Sequence, residues 1–183
     1  MSIDYGPLEG LIGIWQGDKG LDVAPEPGGG NEESPYYETI ECVAAGDVEN
    51  YEEQKLVIVR YHQVVTRKSN DEVFHDQVGY WLWDASSQTV MQTLTIPRGV
   101  CVTAGGTATG SGPVVLQVRA ALGDPDWPVA QSPFMRDRAS TKAFEHKVTL
   151  DGDRLSYAET TTLDIFGIKS FAHTDANELQ RKG

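Results

Sequence analysis

The sequence predicts an all-β fold: nine or ten mostly antiparallel strands in an up-and-down meander that closes into a β-barrel, with one or two short helices. Three observations carry this. Short segments rich in Val, Ile, Thr, Tyr and Trp recur along the chain, separated by Gly, Asp, Asn and Ser. The longest of them, Gln54–Arg67, divides into two faces, with Leu56, Ile58, Arg60, His62, Val64 and Thr66 on one and Val57, Val59, Tyr61, Val65 and Arg67 on the other. Helical signals are confined to two short stretches. A two-sheet sandwich is the structural alternative. The 183 residues suit a single domain, 1–183, with enough chain to bury a real core.

Taken in order, Pro7–Leu11 reads as one turn of helix and Leu11–Gly17 as a first strand. The segment Asp18–Pro35 reads as a long polar loop, 18–35, because Pro25, Pro27 and Gly28 to Gly30 interrupt any period and Asn31, Glu32 and Glu33 follow. Loops of that length inside a compact domain are usually functional or mobile. Strands are expected at Tyr36–Val43, Gln54–Arg67, Val73–Trp83 and Thr89–Ile96, then at Val100–Thr109 and Val114–Ala121. Ser132 followed by Pro133 is an N-cap with proline at the first helical position, placing a short helix within Ser132–Thr141. Ala143–Leu150 and Arg154–Leu163 are the last segments with strand composition. Asp84-Ala-Ser-Ser-Gln, Gly110-Ser-Gly-Pro and Asp151-Gly-Asp supply hairpin turns between them. No internal repeat is present.

Composition excludes several classes. Lys+Arg total 15 against 27 Asp+Glu, a net charge of −12, which disfavours nucleic acid and anionic membrane surfaces alike. No apolar run reaches about 18 residues, the length of a spanning helix. The opening Met1-Ser-Ile-Asp-Tyr-Gly-Pro lacks the basic and apolar regions of a secretory signal. Cys42 and Cys101 have no metal spacing around them and read as buried free thiols in a reducing cytoplasmic setting. The oligomeric state stays open, a homodimer included.

Common catalytic signatures are absent: no nucleophile elbow, no phosphate loop, no dinucleotide fingerprint and no His-Glu-x-x-His. Gly105-Thr-Ala-Thr-Gly-Ser-Gly has no lysine to reach a phosphate and reads as a strand end with a hairpin. Four histidines remain. His146 stands among charged residues and reads as exposed, and His62 sits mid-strand. His75 has apolar neighbours on both sides, and His173 lies near the C-terminus in Ser170-Phe-Ala-His-Thr-Asp-Ala. Trp15, Tyr80, Trp81 and Trp83 either plug the barrel or line a cavity. A barrel of eight to ten strands is wide enough for one small ligand. A neutral imidazole in such a cavity is a natural axial ligand for haem iron.

Pro7-Leu-Glu-Gly-Leu-Ile-Gly-Ile-Trp-Gln-Gly resembles the opening of the nitrobindin family, haem-binding barrels related to the C-terminal domain of THAP4 and first described as fatty-acid-binding-protein-like. Tyr36-Tyr-Glu-Thr-Ile, Phe74-His-Asp-Gln-Val-Gly-Tyr-Trp, Leu155-Ser-Tyr-Ala-Glu-Thr and His173-Thr-Asp-Ala resemble further family segments in the same order. The resemblance implies a ten-stranded, calycin/lipocalin-like antiparallel barrel holding b-type haem (haem b) at its open end. It implies His173 as the proximal iron ligand and His75 at or near the pocket. It also implies ferric haem that binds nitric oxide and isomerises peroxynitrite, so an enzyme of that kind is the expectation if ferric haem is present. Lys169, Arg181 or Lys182 would attract the propionates, with Ser170-Phe171 packing on the porphyrin. This sequence departs from the family pattern in the long 18–35 segment, in the extended Thr162–Ala172, in Thr174 where the family has Leu, and in Thr160-Thr161-Thr162 where a methionine often stands. The alternative is a carrier of an apolar, fatty-acid-like molecule without iron; a third is a barrel filled by side chains that acts as an interaction module.

Overall fold

Each strand turns alternate side chains to opposite faces, so a sheet with one apolar face must bury it. In the computed structural model, which describes residues 3–183, the sheet does so by closing on itself. A 3₁₀ turn, Gly6–Leu11, leads into β1 (Gly13–Pro25) and β2 (Asn31–Asn50). Next come β3 (Gln54–Arg67), β4 (Val73–Asp84), β5 (Thr89–Ile96), β6 (Val100–Thr109) and β7 (Val114–Ala121). A three-residue β8 (Val129–Gln131) and the helix α1 (Pro133–Arg138) precede β9 (Ala139–Asp151), β10 (Arg154–Ile165) and β11 (Ile168–Lys182). Every strand pairs antiparallel with its chain neighbours, except that β7 pairs with β9 and β8 lies outside the ring on β6. The pairs β1–β11 and β5–β6 close a barrel of ten strands and leave no strand edge open along the ring.

The barrel has an apolar end and a polar end. Leu8 and Leu11 of the 3₁₀ turn plug the first, packed with Trp15, Trp83, Val90, Leu150, Leu155 and Leu179. The Trp15 Nε1–H donates to Leu11 O at 2.8 Å. The Arg181 guanidinium lies over the Trp15 ring at 4.2 Å and donates to Gly10 O at 2.9 Å and to Ile12 O. Among the described residues, no helix is long and apolar enough to cross a membrane.

The polar loop expected at 18–35 is a correction. β1 runs through to Pro25 and β2 begins at Asn31, so only the residues around Pro27 to Gly30 form a turn. The alternation was hidden by an irregularity in register between Gly17 and Gly20. Trp15 faces the interior before it, and Asp22 and Ala24 face the interior after it, so the apolar parity changes within one strand. Gly20 is needed there because a Cβ would sit 2.0 Å from the Tyr36 ring. Thr162–Ala172 is likewise a hairpin, in which β10 and β11 run to a tight Phe166-Gly167 turn. β11, which closes the ring, carries no strand-like composition, because Asp, Asn, Glu and Gln interleave its few apolar residues.

The two expected helical stretches are present. Ser132 caps α1 by accepting from the Met135 N–H at 3.3 Å. Cys42 is buried, and its thiol is pushed up to about 12 by burial; Cys101 is exposed, against the expectation of two buried thiols. Buried Asp84 organises the β4–β5 hairpin by accepting from Ser86 N at 2.9 Å, Ser86 Oγ at 2.6 Å, Ser87 N at 3.2 Å and Gln54 Nε2 at 3.0 Å. The Ser86 hydroxyl first, then Gln54 and the two amides, hold its carboxyl below the usual range. That contribution is present above the unfolded carboxyl value and is lost as pH falls through the lower folded one. Replacing Asp84 with Ala is expected to cost about 1.5–3 kcal/mol, the worth of hydrogen bonds to a charged group. Urea denaturation at pH 7 measures it, and a midpoint unchanged from wild type would refute it.

Candidate functional site

The polar end of the barrel opens into a cavity of about 360 Å³. Its walls are mostly apolar: Val65, Phe74, Leu94, Ile96, Val100, Val102, Phe144, Leu163 and Ile165, with Met135 of α1 and Phe166 of the β10–β11 turn at the rim. Two long hairpins, β1–β2 and β10–β11, build much of this end. Asp22, Ala24, Pro25 and Glu32 come from one, and Leu163, Ile165, Phe166 and His173 from the other.

Cross-strand register places a row of titratable side chains in one wall. Asp22 stands opposite Asp175, Asp175 opposite Glu159, and Glu159 opposite His146, on β1, β11, β10 and β9 in turn. His173, two residues from Asp175 on the same face, sets its Nε2 2.6 Å from Asp22 Oδ1 and 3.9 Å from Asp175 Oδ2. Like charges directly opposite each other repel, and burial adds to the cost. Glu159 is accordingly pushed up to about 8, by burial first and then by Glu38 and Asp22. Asp175 moves in the same direction through burial, Glu159 and Asp22. For His173 burial opposes the charge, but the hydrogen bond and attraction of Asp22 outweigh it and raise the imidazole above its ordinary value. Donor atoms of Asp22, His173 and Asp175 lie within 4.8 Å of one another, a set of the kind that chelates a cation.

Beneath the cavity runs a hydrogen-bonded belt. Glu38 accepts from Gln63 at 3.0 Å, Tyr157 at 2.9 Å and Asn177 at 3.2 Å, and burial still pushes it up to about 7. The Tyr61 hydroxyl accepts from Gln77 at 2.8 Å and Gln92 at 2.9 Å, and Gln92 Oε1 lies 2.9 Å from His146 Nδ1. With its amide given to Tyr61, Gln92 offers an oxygen to His146, so Nδ1 carries the proton. His146 is buried, not exposed as expected: it occupies an inward position of β9 between Trp81, Phe144 and Tyr157, and burial drops it to about 3.

The chain matches the family model described as "THAP4-like, heme-binding beta-barrel domain" over residues 4–181. The chain belongs to that family. No curated protein sequence matches it at a significant level. Among solved structures, the crystal structure of Rv2717c from M. tuberculosis superposes with a TM-score of 0.71 at 20% identity, covering 98% of this chain and 100% of that one. That likeness concerns the fold. The resemblance read from the ordered motifs is thus borne out, as is the ten-stranded antiparallel barrel, and family membership supports haem binding in general.

Of the predicted site residues, His173 and His75 line the same cavity. His75 Nε2 lies 3.3 Å from Gln77 Oε1, and burial lowers the imidazole below its ordinary value, so it faces the cavity neutral. His62 is on the outside, paired with Asp76 at 3.2 Å. The expected propionate partners are elsewhere: Lys169 pairs with Asp164 at 3.1 Å, Arg181 covers Trp15 at the opposite end, and Lys182 is exposed, pairing with Ile14 in the β1–β11 seam. Sequence reasoning missed Asp22, Asp175 and Glu159. Their signal is period two: Asp175 follows His173 by two, and Glu159 follows the inward Tyr157 by two.

Proposed function

We propose that this chain binds b-type haem in the polar-end cavity, with His173 as the protein ligand to iron and nitric oxide as the ligand on the open side. The observation that carries the reading is a carboxylate-anchored imidazole in the wall of an apolar cavity, in a member of a haem-binding barrel family. The donor chemistry suits the group. Metal-bound histidines usually give their second ring N–H to a carboxylate. With Nε2–H held by Asp22, deprotonation leaves the lone pair on Nδ1. The apolar walls match the porphyrin, and Glu159 and Asp175, raised by burial, are largely neutral below about pH 8 and tolerate an apolar neighbour. Bound haem would supply an iron centre that takes nitric oxide or acts on peroxynitrite, and His173 would be the residue that holds it. The chain's own part is to hold one imidazole at a fixed tautomer, to present His75 uncharged, and to keep water out with Phe74, Phe144 and Leu163.

Titrating the purified protein with hemin is expected to give a Soret band that saturates at one equivalent and shifts on adding nitric oxide. His173→Ala should weaken hemin binding about tenfold or more and move the band, whereas His75→Ala should keep the axial signature. A band unchanged in His173→Ala would overturn the ligand assignment. The 2.6 Å Asp22 contact and the raised His173 favour a second reading, in which the imidazole keeps its proton and the cavity carries an apolar molecule without iron. Retention of a fluorescent fatty acid with no Soret band distinguishes it.

A further inference from the structure

The cavity is electrically lopsided. Three of its acids, Asp22, Asp175 and Glu159, stand on the neighbouring strands β1, β11 and β10. A fourth, Glu32 on β2, lies beside Arg67, and the guanidinium groups among its described lining residues, Arg67 and Arg98, stand on β3 and in the β5–β6 turn. The two arginines converge on one residue. Arg67 lies over the Phe74 ring at 4.7 Å, and Arg98 donates to Phe74 O at 3.3 Å. Arg67 Nε is buried with no hydrogen-bond partner, and its guanidinium comes only within 3.7 Å of Glu32, itself half exposed. A buried donor left unpaired costs about 1–3 kcal/mol, more on a charged group, and the fold has a reason to tolerate it if an acceptor arrives with the occupant. A fork of rigid donors over an aromatic face is the form in which arginine recognises carboxylates.

We infer that Arg67 and Arg98 form a carboxylate-anchoring subsite at the cavity mouth, so that the occupant is an apolar molecule carrying a carboxylate, oriented with its acid at Phe74 and away from Asp22. This rests on reading the cavity as a ligand site; under the haem proposal the carboxylates are the propionates. A fatty acid would offer the same chemistry on another body.

The test compares hemin with hemin dimethyl ester by Soret titration, and dodecanoic acid with methyl dodecanoate by calorimetry. Wild type is expected to bind hemin about tenfold or more tightly than its diester, the worth of one charge-assisted hydrogen bond pair. The Arg67→Gln, Arg98→Gln double variant should bind both porphyrins alike, at the level of the diester. Arg67→Lys, which keeps the charge and loses the fork, should recover part of the difference and guards against misfolding of the double variant. Equal affinity for hemin and its diester in wild type overturns the subsite. If neither porphyrin binds, the haem proposal fails by itself, and the acid-over-ester preference with dodecanoate decides the subsite: a preference that the double variant abolishes supports it, and no preference overturns it.

Discussion

Raising the pH from 5 to 8.5 is expected to destabilise the haem-free protein by several kcal/mol. Glu38 and Glu159 lie at about 7 and about 8 in the fold, against about 4.3 for a carboxyl in an unfolded chain, and Asp175 shifts in the same direction. A group whose folded value is raised contributes stability that is complete below the unfolded value and disappears as pH rises through the folded one. Each such group contributes a slope of about 1.4 kcal/mol per pH unit between those limits. His146 acts at the other end. Its folded value is about 3, so its contribution is lost as pH falls from about 6.5 toward 3. Thermal melts across pH 3 to 9 should therefore peak near pH 5 and fall on both sides. Glu159→Gln should flatten the alkaline side. A melting temperature level between pH 5 and 8.5 would refute the assignment of buried, protonated acids.

Trp15→Ala is expected to cost about 3–5 kcal/mol, the usual range for deleting a fully buried large aromatic. The indole has no exposed surface and donates to Leu11 O, so the substitution opens a void and removes the bond that ties the 3₁₀ turn to β1. It also strips the ring from beneath Arg181, whose guanidinium holds Gly10 O and Ile12 O. Chemical denaturation in urea measures the loss. A cost below about 1 kcal/mol would mean that the plug repacks around the gap. Because Trp15 lies at the end opposite the cavity, hemin affinity of the fraction that stays folded should be unaffected.

Local composition was enough for most of the barrel. The Val-, Ile- and Trp-rich segment Gln54–Arg67 kept one inward parity from end to end, and Val73–Trp83 kept it from His75 onward, after an irregularity that turns both Phe74 and His75 to the cavity, so their bounds came out within a residue. β1 did not, because the Gly17–Gly20 irregularity exchanged its faces midway, and proline and glycine near its end imitated a loop. β11 escaped because its interior face is polar: His173, Asp175 and Asn177 face inward where a strand ordinarily shows apolar residues. The same fact hid most of the site. Asp22, Glu159 and Asp175 meet only through pairings between strands remote in the chain, and no window of sequence displays that register. His146 was misplaced for a related reason, since its charged neighbours in sequence point outward while it points in.

The seam between β1 and β11 joins Ile14 to Lys182, nearly the full length of the chain apart. The other neighbours in the ring are joined by turns or, for β7 and β9, by the 122–138 connection that carries β8 and α1, and those pairings span far less sequence. Contacts of large sequence separation pay the loop-closure entropy before they return any energy, and they slow folding. The strands from β1 to β10 can zip successively, whereas the last pairing must wait for both ends to be ordered. That seam carries Asp22 on one side and His173 on the other. The wall that holds the imidazole is therefore expected to be the last part of the barrel to assemble during folding.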